Sequence, residues 1–264
     1  MRKPLVSVVM SEYNTDPFFF HESVRSILGQ SYEDFELIIV DDCGNNDIDD
    51  LLKLYSDDKR IIVIRNKKNC GLARSLNRGV KKARGKYIIR MDTDDIMMPD
   101  RIKKQVEFAE HHPEYAIIGG RYILFDGEKE YGVMGVPGEK SKEDLLPGTP
   151  FAHPTLIIHK DALLKNNGYP SYERCEDYAM ELGLYISGYK GYVMNDVLIK
   201  YRQDKNGYLK KRYKYRVEGF QMRKKYFRKL GVPRLKWLAY SAKPLFVGLI
   251  PKRLLKQYHE KGNS

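Results

Sequence analysis

The chain has 264 residues, of which 42% are hydrophobic and 31% are charged, and it carries a net charge of +12. This composition excludes global disorder, and the length suits one large domain with at most a small appendage. The three cysteines lie far apart with no C-x-x-C pair, which argues against a disulfide framework or a zinc site and favours a reducing cytosol.

Apolar runs and helical stretches alternate through the first half of the chain. The runs are continuous and rich in Val, Ile and Leu, which predicts strands at residues 5–10, 35–40, 61–64 and 87–91. Capping and amphipathic spacing predict helices from Asp16-Pro17 onwards and at residues 48–55, 72–83 and 99–111. We therefore expect an α/β fold with a mostly parallel central sheet flanked by helices on both faces.

The second half of the chain is less regular. Its hydrophobic pattern predicts strands at residues 116–125, 155–159 and 191–201 and a helix at residues 175–187. Residues 128–150 are interspersed with Gly and Pro and are predicted to form a loop. The first nine residues resemble an opening strand and lack the features of a signal peptide, which favours a cytoplasmic location.

Positive charge is concentrated in residues 205–264, which contain 18 Lys and Arg against two Asp and Glu. We predict a globular domain of residues 1–204 followed by this basic tail. The tail pattern predicts two helices, roughly 208–230 and 235–258, with breaks near 231–233, at Pro244 and at Pro251. This concentration of positive charge in the tail indicates an anionic partner, either a membrane surface or a nucleic acid, unless the tail is only a solvated helix pair.

The tail also contains an apolar segment, residues 237–250, which is shorter than the roughly 20 residues that span a bilayer. Flanking Lys and Arg residues instead favour peripheral attachment to an anionic membrane surface. We expect that surface to be the inner face of the cell membrane.

Polar side chains follow each of the first four predicted strands. In an open parallel sheet, ligands bind outside the carboxyl ends of the strands, so these side chains are expected along one rim. The candidates are Ser11 and Tyr13 after the first strand, Asp41 and Asp42 after the second, Arg74 after the third, and Asp92, Asp94 and Asp95 after the fourth.

Asp92, Asp94 and Asp95 are the most informative of these. Single Asp residues at strand ends often only cap the next helix. Three carboxylates within four residues repel one another unless a cation offsets their charge. Oxygen ligands select a hard divalent cation, Mg²⁺ or Mn²⁺, which can also hold phosphate oxygens.

The chain resembles the family 2 glycosyltransferases, which have the GT-A fold and invert the anomeric centre, and in particular those of bacterial surface polysaccharide assembly. The resemblance covers residues 5–201 and rests on six segments in the order and spacing of that family. They are VSVVMSEYN, SILGQSYEDFELIIVDD, NCGLARSLNRG, ARGKYIIRMDTDDIMMPDRIKKQVEF, HPTLIIHKDALLKNNGY and CEDYAMELGLY.

The resemblance implies a nucleotide site on the rim. Tyr13 would face the nucleobase with Ser11 nearby, although many family members have proline and valine or a similar pair where this chain has Ser11 and Glu12. Asp42 or its neighbour Asp41 would accept a hydrogen bond from the base, which suits uracil or thymine. Arg74 would lie near the donor diphosphate or sugar.

The resemblance also implies the catalytic groups. Asp92 and Asp94 match the family's D-x-D motif, with Asp92 beside the nucleotide and Asp94 or Asp95 binding the metal. Glu176-Asp177 matches the family's E-D pair, in which the aspartate is the general base and the glutamate lies near the acceptor.

His153 is a secondary candidate, as a metal ligand or an acceptor contact, although a structural role is the more common one for such a histidine.

The implied reaction moves a hexose or N-acetylhexosamine from a nucleotide diphosphate sugar, with uridine favoured, to a hydroxyl of a glycan or lipid-linked acceptor. A nucleotidyltransferase, a nucleic-acid-binding protein that uses the basic tail, and a metal-free scaffold are the alternatives. The carboxylate rim argues against nucleic acid because it repels phosphate.

Overall fold

The structure is a computed structural model that describes residues 4–203 and 213–247. Within these residues the strands are β1 (Val6–Glu12), β2 (Phe35–Asp41), β3 (Ile61–Arg65), β4 (Tyr87–Arg90), β5 (Ile96–Met97), β6 (Tyr115–Phe125), β7 (Glu130–Met134), β8 (Gly138–Lys140), β9 (Ile157–His159) and β10 (Lys190–Arg202). The helices are α1 (Pro17–Leu28), α2 (Ile48–Leu52), α3 (Leu72–Lys82), α4 (Arg101–His111), α5 (Lys160–Lys165), α6 (Glu176–Ile186), α7 (Tyr213–Lys229) and α8 (Arg234–Val247).

The strands form one sheet in the order β3-β2-β1-β4-β9-β6-β10-β5, with β7 paired to β6 and β8 paired to β10. β3, β2, β1 and β4 run parallel, and so do β6 and β10. β9 is antiparallel to both β4 and β6 and joins the two parallel parts. The predicted α/β fold with a mostly parallel sheet is therefore confirmed, and the loops after β1, β2 and β4 meet at one edge.

Two apolar layers cover the faces of this sheet. Successive residues of β1 point to opposite layers, with Val8 in one and Val9 in the other, both almost fully buried. This burial on both faces explains why the strands appear in the sequence as continuous apolar runs. Helix α3 lies so close to β1 that a Cβ atom at Gly79 would come 2.5 Å from a methyl carbon of Val9.

Helix α1 begins as the sequence predicts, because the Asp16 carboxylate accepts the backbone N–H of Phe18 at 2.9 Å and Pro17 occupies the first turn. The prediction of a loop over residues 128–150 is wrong in part, since β7 and β8 lie there. The Asp126 carboxylate accepts the backbone N–H groups of Glu128 and Lys129, which turns the chain from β6 into β7.

The described part of the basic tail packs against the rest of the protein through α6. Met222 and Phe227 of α7 are fully buried, Trp237 of α8 is 7% exposed, and all three belong to the apolar layer that contains α3 and α6.

The predicted break at Pro244 is wrong, since α8 continues to Val247. Packing against α7 outweighs the loss of one helical N–H bond. The predicted start of the first tail helix at residue 208, the predicted break at Pro251 and the predicted helix beyond residue 247 lie outside the described residues. In the described residues, no helix is both long and apolar enough to cross a membrane.

Candidate active site

A cleft of about 760 Å³ opens at the edge of the sheet where β1, β2 and β4 end. One wall consists of the loops after these strands and the beginning of α3. The other wall consists of the segment before α6 together with α7. The lining residues are Ser11, Tyr13, Thr15, Asp42, residues 69–74 and Thr93 on the first wall, and Ser171, Tyr172, Glu173, Arg174, Glu176 and Tyr215 on the second.

The loop after β1 presents the Tyr13 side chain, 51% exposed, to the cleft. Glu12 holds this loop from inside, because its fully buried carboxylate accepts the backbone N–H of Thr15 and the side-chain amide of Asn46, both at 2.9 Å. The hydroxyls of Thr15 and Thr93 lie 2.6 Å apart and join the loop after β1 to the loop after β4. Glu12, at which the sequence departs from the family pattern, therefore has a structural role.

The two aspartates after β2 have different environments. Asp42 is buried, and its carboxylate accepts the backbone N–H of Cys70 at 2.7 Å and that of Gly71 at 2.8 Å, along with the side-chain amide of Asn66 at 2.6 Å. Asp41 accepts the backbone N–H of Cys43 at 2.9 Å, which forms a turn, and is not among the residues that line the cleft. Asp42 thus fixes the loop that leads into α3.

Helix α3 points its N-terminus into the cleft. Gly71 precedes the helix with a φ of +83° and provides no side-chain cap. The first N–H groups of a helix have no partner within the helix and carry the positive end of its dipole. The exposed side chain of Arg74 lies in the same turn and also lines the cleft. This end of the cleft favours an anionic group such as a diphosphate.

The predicted carboxylate cluster forms after β4. One oxygen of each of Asp92, Asp94 and Asp95 lies within 4.8 Å of the others. Asp95 is buried, with one oxygen accepting the backbone N–H of Arg202 at 2.8 Å and the other, Oδ2, buried without a partner among the described residues. Burial, then the charge of Asp92, raises the pKa of Asp94, and the same causes raise the pKa of Asp95 well above its ordinary value.

These features fit a divalent cation. A buried carboxylate oxygen without a hydrogen-bond donor is unfavourable by itself, and so are three adjacent negative charges. A hard cation with oxygen ligands would pair with the buried oxygen and reduce the repulsion among the three carboxylates.

Two arginines that the sequence analysis did not single out support this cluster. The Arg90 side chain is buried at the end of β4 and forms an ion pair with the carboxylate of Asp92. At the end of β10, Arg202 donates its guanidinium Nε–H to the backbone carbonyl of Asp94 at 2.8 Å, in addition to its N–H bond to Asp95. The one sequence signal for Arg90 is a charged residue inside an otherwise apolar strand.

The predicted acidic pair lies at the start of α6, and of its two members Glu176 lines the second wall of the cleft and Asp177 does not. Glu176 lines the cleft and is 8% exposed, and its Oε2 is buried without a partner among the described residues. Burial, then the charge of Asp177, raises the pKa of Glu176 to about 7. The Asp177 carboxylate accepts the backbone N–H of Tyr178 at 2.6 Å, and burial raises its pKa as well. A helix start lowers the pKa of a carboxyl group, and here the burial outweighs that effect.

Helix α7 of the basic tail completes this wall. Tyr215 lines the cleft, and the guanidinium of Arg174 lies 5.6 Å from the centre of its ring. Lys214 forms an ion pair with Glu173 at 2.8 Å, and the carboxylate of Glu218 accepts the backbone N–H of Glu173. Sequence analysis missed these contacts because they join segments about 40 residues apart.

His153 lies away from the cleft lining. It begins a short 3₁₀ turn in place of the predicted strand start, and its ring packs edge-on against Tyr169, with its Nε2 3.3 Å from the hydroxyl of that tyrosine. Burial, then the charge of Arg90, lowers the pKa of His153 well below its ordinary value, so the ring is neutral at neutral pH. These contacts agree with the structural role.

The sequence pattern of the family described as "Glycosyl transferase family 2" matches residues 7–167, more than half of the chain. The chain belongs to this family. It is therefore a glycosyltransferase, and the nucleotidyltransferase and scaffold alternatives are set aside. The resemblance inferred from the motifs is confirmed.

Relatives of known sequence agree with this assignment. The EpsE glycosyltransferase of Bacillus subtilis is 35% identical over 98% of this chain and 94% of its own length. The Escherichia coli protein WfaP, named UDP-Glc:alpha-D-GlcNAc-diphosphoundecaprenol beta-1,3-glucosyltransferase, is 32% identical over 75% of this chain and 77% of its own.

Solved structures agree on the GT-A fold. TarS of S. aureus, in complex with UDP-GlcNAc, superposes with a TM-score of 0.71 over 91% of this chain and 70% of that chain, at 18% identity. The mannosyltransferase PcManGT of Pyrobaculum calidifontis, in complex with GDP-Man and Mn²⁺, superposes with a TM-score of 0.65 over 100% of this chain and 81% of that chain, at 15% identity.

Proposed function

We propose that the protein is a metal-dependent, inverting glycosyltransferase that moves a hexose or N-acetylhexosamine from a uridine diphosphate sugar to a hydroxyl of a glycan or lipid-linked acceptor. One observation carries the proposal: a single cleft is lined on one wall by Thr93, from the loop of the carboxylate cluster, and on the other wall by Glu176, the neighbour of Asp177. The names of the relatives support the substrate class, since WfaP uses a UDP-sugar and a diphosphoundecaprenol-linked acceptor and TarS binds UDP-GlcNAc. We place the reaction in bacterial surface polysaccharide assembly.

The first wall would bind the donor. The exposed ring of Tyr13 offers a flat apolar face to the nucleobase, with Ser11 beside it. Of the two aspartates, we favour Asp42 over Asp41 for the base contact because Asp42 lines the cleft. Arg74 and the start of α3 would hold the diphosphate through positive charge and free N–H groups.

Asp94 and Asp95 would bind Mn²⁺ or Mg²⁺, with Asp92 beside the nucleotide. A divalent cation held by these residues would supply positive charge to offset the charge that develops on the leaving diphosphate. Arg90 contributes to the same site by fixing the carboxylate of Asp92, and Arg202 contributes by donating to the backbone and side chain of the next two aspartates. These contacts hold the carboxylates in place before the donor binds.

Asp177 would act as the general base that takes the proton of the acceptor hydroxyl. Its raised pKa makes it a stronger base than an ordinary aspartate, and one of its oxygens is already oriented by the backbone N–H of Tyr178. Glu176, in the cleft itself, would contact the acceptor. A single displacement on the face opposite the leaving group would invert the anomeric configuration.

Residues 205–264 would attach the protein to the inner face of the cell membrane, which leaves the rest of the chain in the cytoplasm. The support is the positive charge of this segment, and we expect no nucleic-acid partner because the cleft rim is acidic. Removing the whole segment would be a poor test, since Met222, Phe227 and Trp237 belong to the core.

The test of the chemistry compares Asp177→Asn with Glu176→Gln, using radiolabelled UDP-sugars with Mn²⁺ and measuring donor binding and sugar transfer separately. Asp177→Asn keeps the shape of the side chain but cannot accept a proton, so we expect unchanged donor affinity and a transfer rate lower by a factor of about 10²–10⁴. Glu176→Gln should act mainly on the acceptor KM. A normal rate in Asp177→Asn with a large loss in Glu176→Gln would move the base to Glu176.

A further inference from the structure

A second cleft, of about 500 Å³, lies between α7 and α8 on the basic tail. It is lined by Lys224, Arg228, Val232, Arg234 and Trp237. Lys224 and Arg228 are one helical turn apart on α7, and Arg234 begins α8, so three cationic side chains converge from two helices. We call this the basic cleft.

The cations of the basic cleft are exposed and form no ion pair with a carboxylate in the described part of the chain. Residues 213–247 contain ten Lys and Arg and one acidic residue, Glu218, which faces the segment before α6. Placing unpaired like charges around one cleft is unfavourable in the free protein. An anion with several oxygens, such as a phosphate group, would remove that repulsion.

Exposed apolar side chains near Arg234 on α8 indicate the source of the phosphate. Leu235, 84% exposed, directly follows Arg234, and Leu238, 38% exposed, lies one helical turn after Arg234 on the same side of α8. A protein that binds single-stranded nucleic acid exposes aromatic rings on which bases stack, whereas the exposed side chains here are leucines. Cations next to exposed leucines suit the boundary between lipid headgroups and acyl chains.

We propose that the basic cleft binds the phosphate of an anionic lipid headgroup. This inference rests on the proposed function, because it gives the expected membrane contact a defined site. Helix α7 connects the two clefts: Tyr215 lines the active-site cleft, and Arg228 lies 13 residues later, about 20 Å along the helix axis. Lipid binding at one end of α7 would hold the active site at a fixed height above the membrane surface.

The test uses the full-length protein, vesicles of phosphatidylglycerol and phosphatidylcholine, and a flotation assay. The cleft variant is Lys224→Glu, Arg228→Glu, Arg234→Glu. The matched control is Lys81→Glu, Lys82→Glu, Lys103→Glu, which makes the same charge change at exposed lysines on α3 and α4. We expect the cleft variant to lose at least about 100-fold in vesicle partitioning, from the usual contribution of three basic residues near an anionic surface, and the control to stay within a few-fold of wild type.

Equal losses in the two variants would show that binding depends only on net charge and would overturn the proposal, as would unchanged flotation of the cleft variant. Inorganic phosphate at constant ionic strength distinguishes the sources: thermal stabilisation by phosphate without vesicle binding would assign the cleft to a soluble phosphate. If the protein binds an oligonucleotide, loses that binding in the cleft variant and does not float with the vesicles, the basic cleft is assigned to nucleic acid.

UDP-sugar binding is measured in the same samples, along with the thermal unfolding temperature. The cleft residues lie outside the active-site lining, so we expect both to remain near wild type in the cleft variant. If the wild-type protein floats with anionic vesicles but binds no UDP-sugar, the proposed function fails while the lipid site stands. If it binds UDP-sugar but does not float, the lipid site fails while the proposed function stands.

Discussion

Glu176 should reduce the stability of the folded protein at neutral and alkaline pH. Burial, then the charge of Asp177, raises its pKa from an ordinary value of 4.5 to about 7. Each pKa unit corresponds to 1.36 kcal/mol between the two protonation states. Ionising this carboxyl therefore costs the folded state about 3 kcal/mol relative to the unfolded chain.

The sign follows from proton binding. Between pH 4.5 and 7 the unfolded carboxyl has lost its proton while the folded one retains it, so the contribution of Glu176 to stability falls as pH rises through this window. The penalty is under about 1 kcal/mol at pH 5 and complete, at about 3 kcal/mol, by pH 8. Glu176→Gln keeps the shape of the side chain and has no charge to lose.

We therefore expect Glu176→Gln to be more stable than wild type at pH 8, by about 3 kcal/mol or roughly 5 °C in Tm for a chain of this size. At pH 5 the two proteins should differ by under about 1 kcal/mol. Thermal unfolding of the metal-free, donor-free proteins at both pH values measures this. Glu107→Gln, at an exposed position on α4, is the control and should show no pH-dependent difference.

A Glu176→Gln protein that is less stable than wild type at pH 8, or that differs from it equally at both pH values, would refute this reasoning. The expected gain in stability comes with a loss at the acceptor site, because the same carboxyl lines the cleft. Such a trade between stability and activity is common where charged groups are buried for function.

Two further predictions concern the first wall. Asp94→Ala and Asp95→Ala should each abolish Mn²⁺-dependent binding of UDP while the fold is retained; isothermal calorimetry tests this, and wild-type affinity in both variants would exclude these residues as metal ligands. Asp42→Ala should destabilise the protein by about 3–5 kcal/mol, since three hydrogen-bond donors lose a charged acceptor, whereas Asp41→Ala should cost under about 1 kcal/mol. Urea unfolding measures both aspartate variants, and equal effects would contradict the separate environments that we describe.

Most of the fold could be predicted from the sequence because the spacing of apolar residues along the chain indicates which side chains of a helix or strand are buried. Runs such as Phe35–Asp41 are mostly apolar and are buried on both faces of the strand, and the Asp16-Pro17 pair sets the beginning of α1. Elements that depend on pairing with distant strands could not be predicted in this way. β5 has two residues, and β7 is exposed along its whole length, so neither leaves an apolar pattern.

The sequence by itself predicted the carboxylate cluster of the site, because Asp92, Asp94 and Asp95 come from one loop and chain connectivity keeps residues three positions apart within about 11 Å. Only the tertiary structure brought Glu176 across the cleft from that loop, buried its carboxyl and raised its pKa to about 7. It also placed Arg202 on Asp94 and Asp95, and Tyr215 of the basic tail in the cleft wall. These contacts join residues far apart in sequence, and their distances and desolvation arise from packing of the whole chain, which no local pattern encodes.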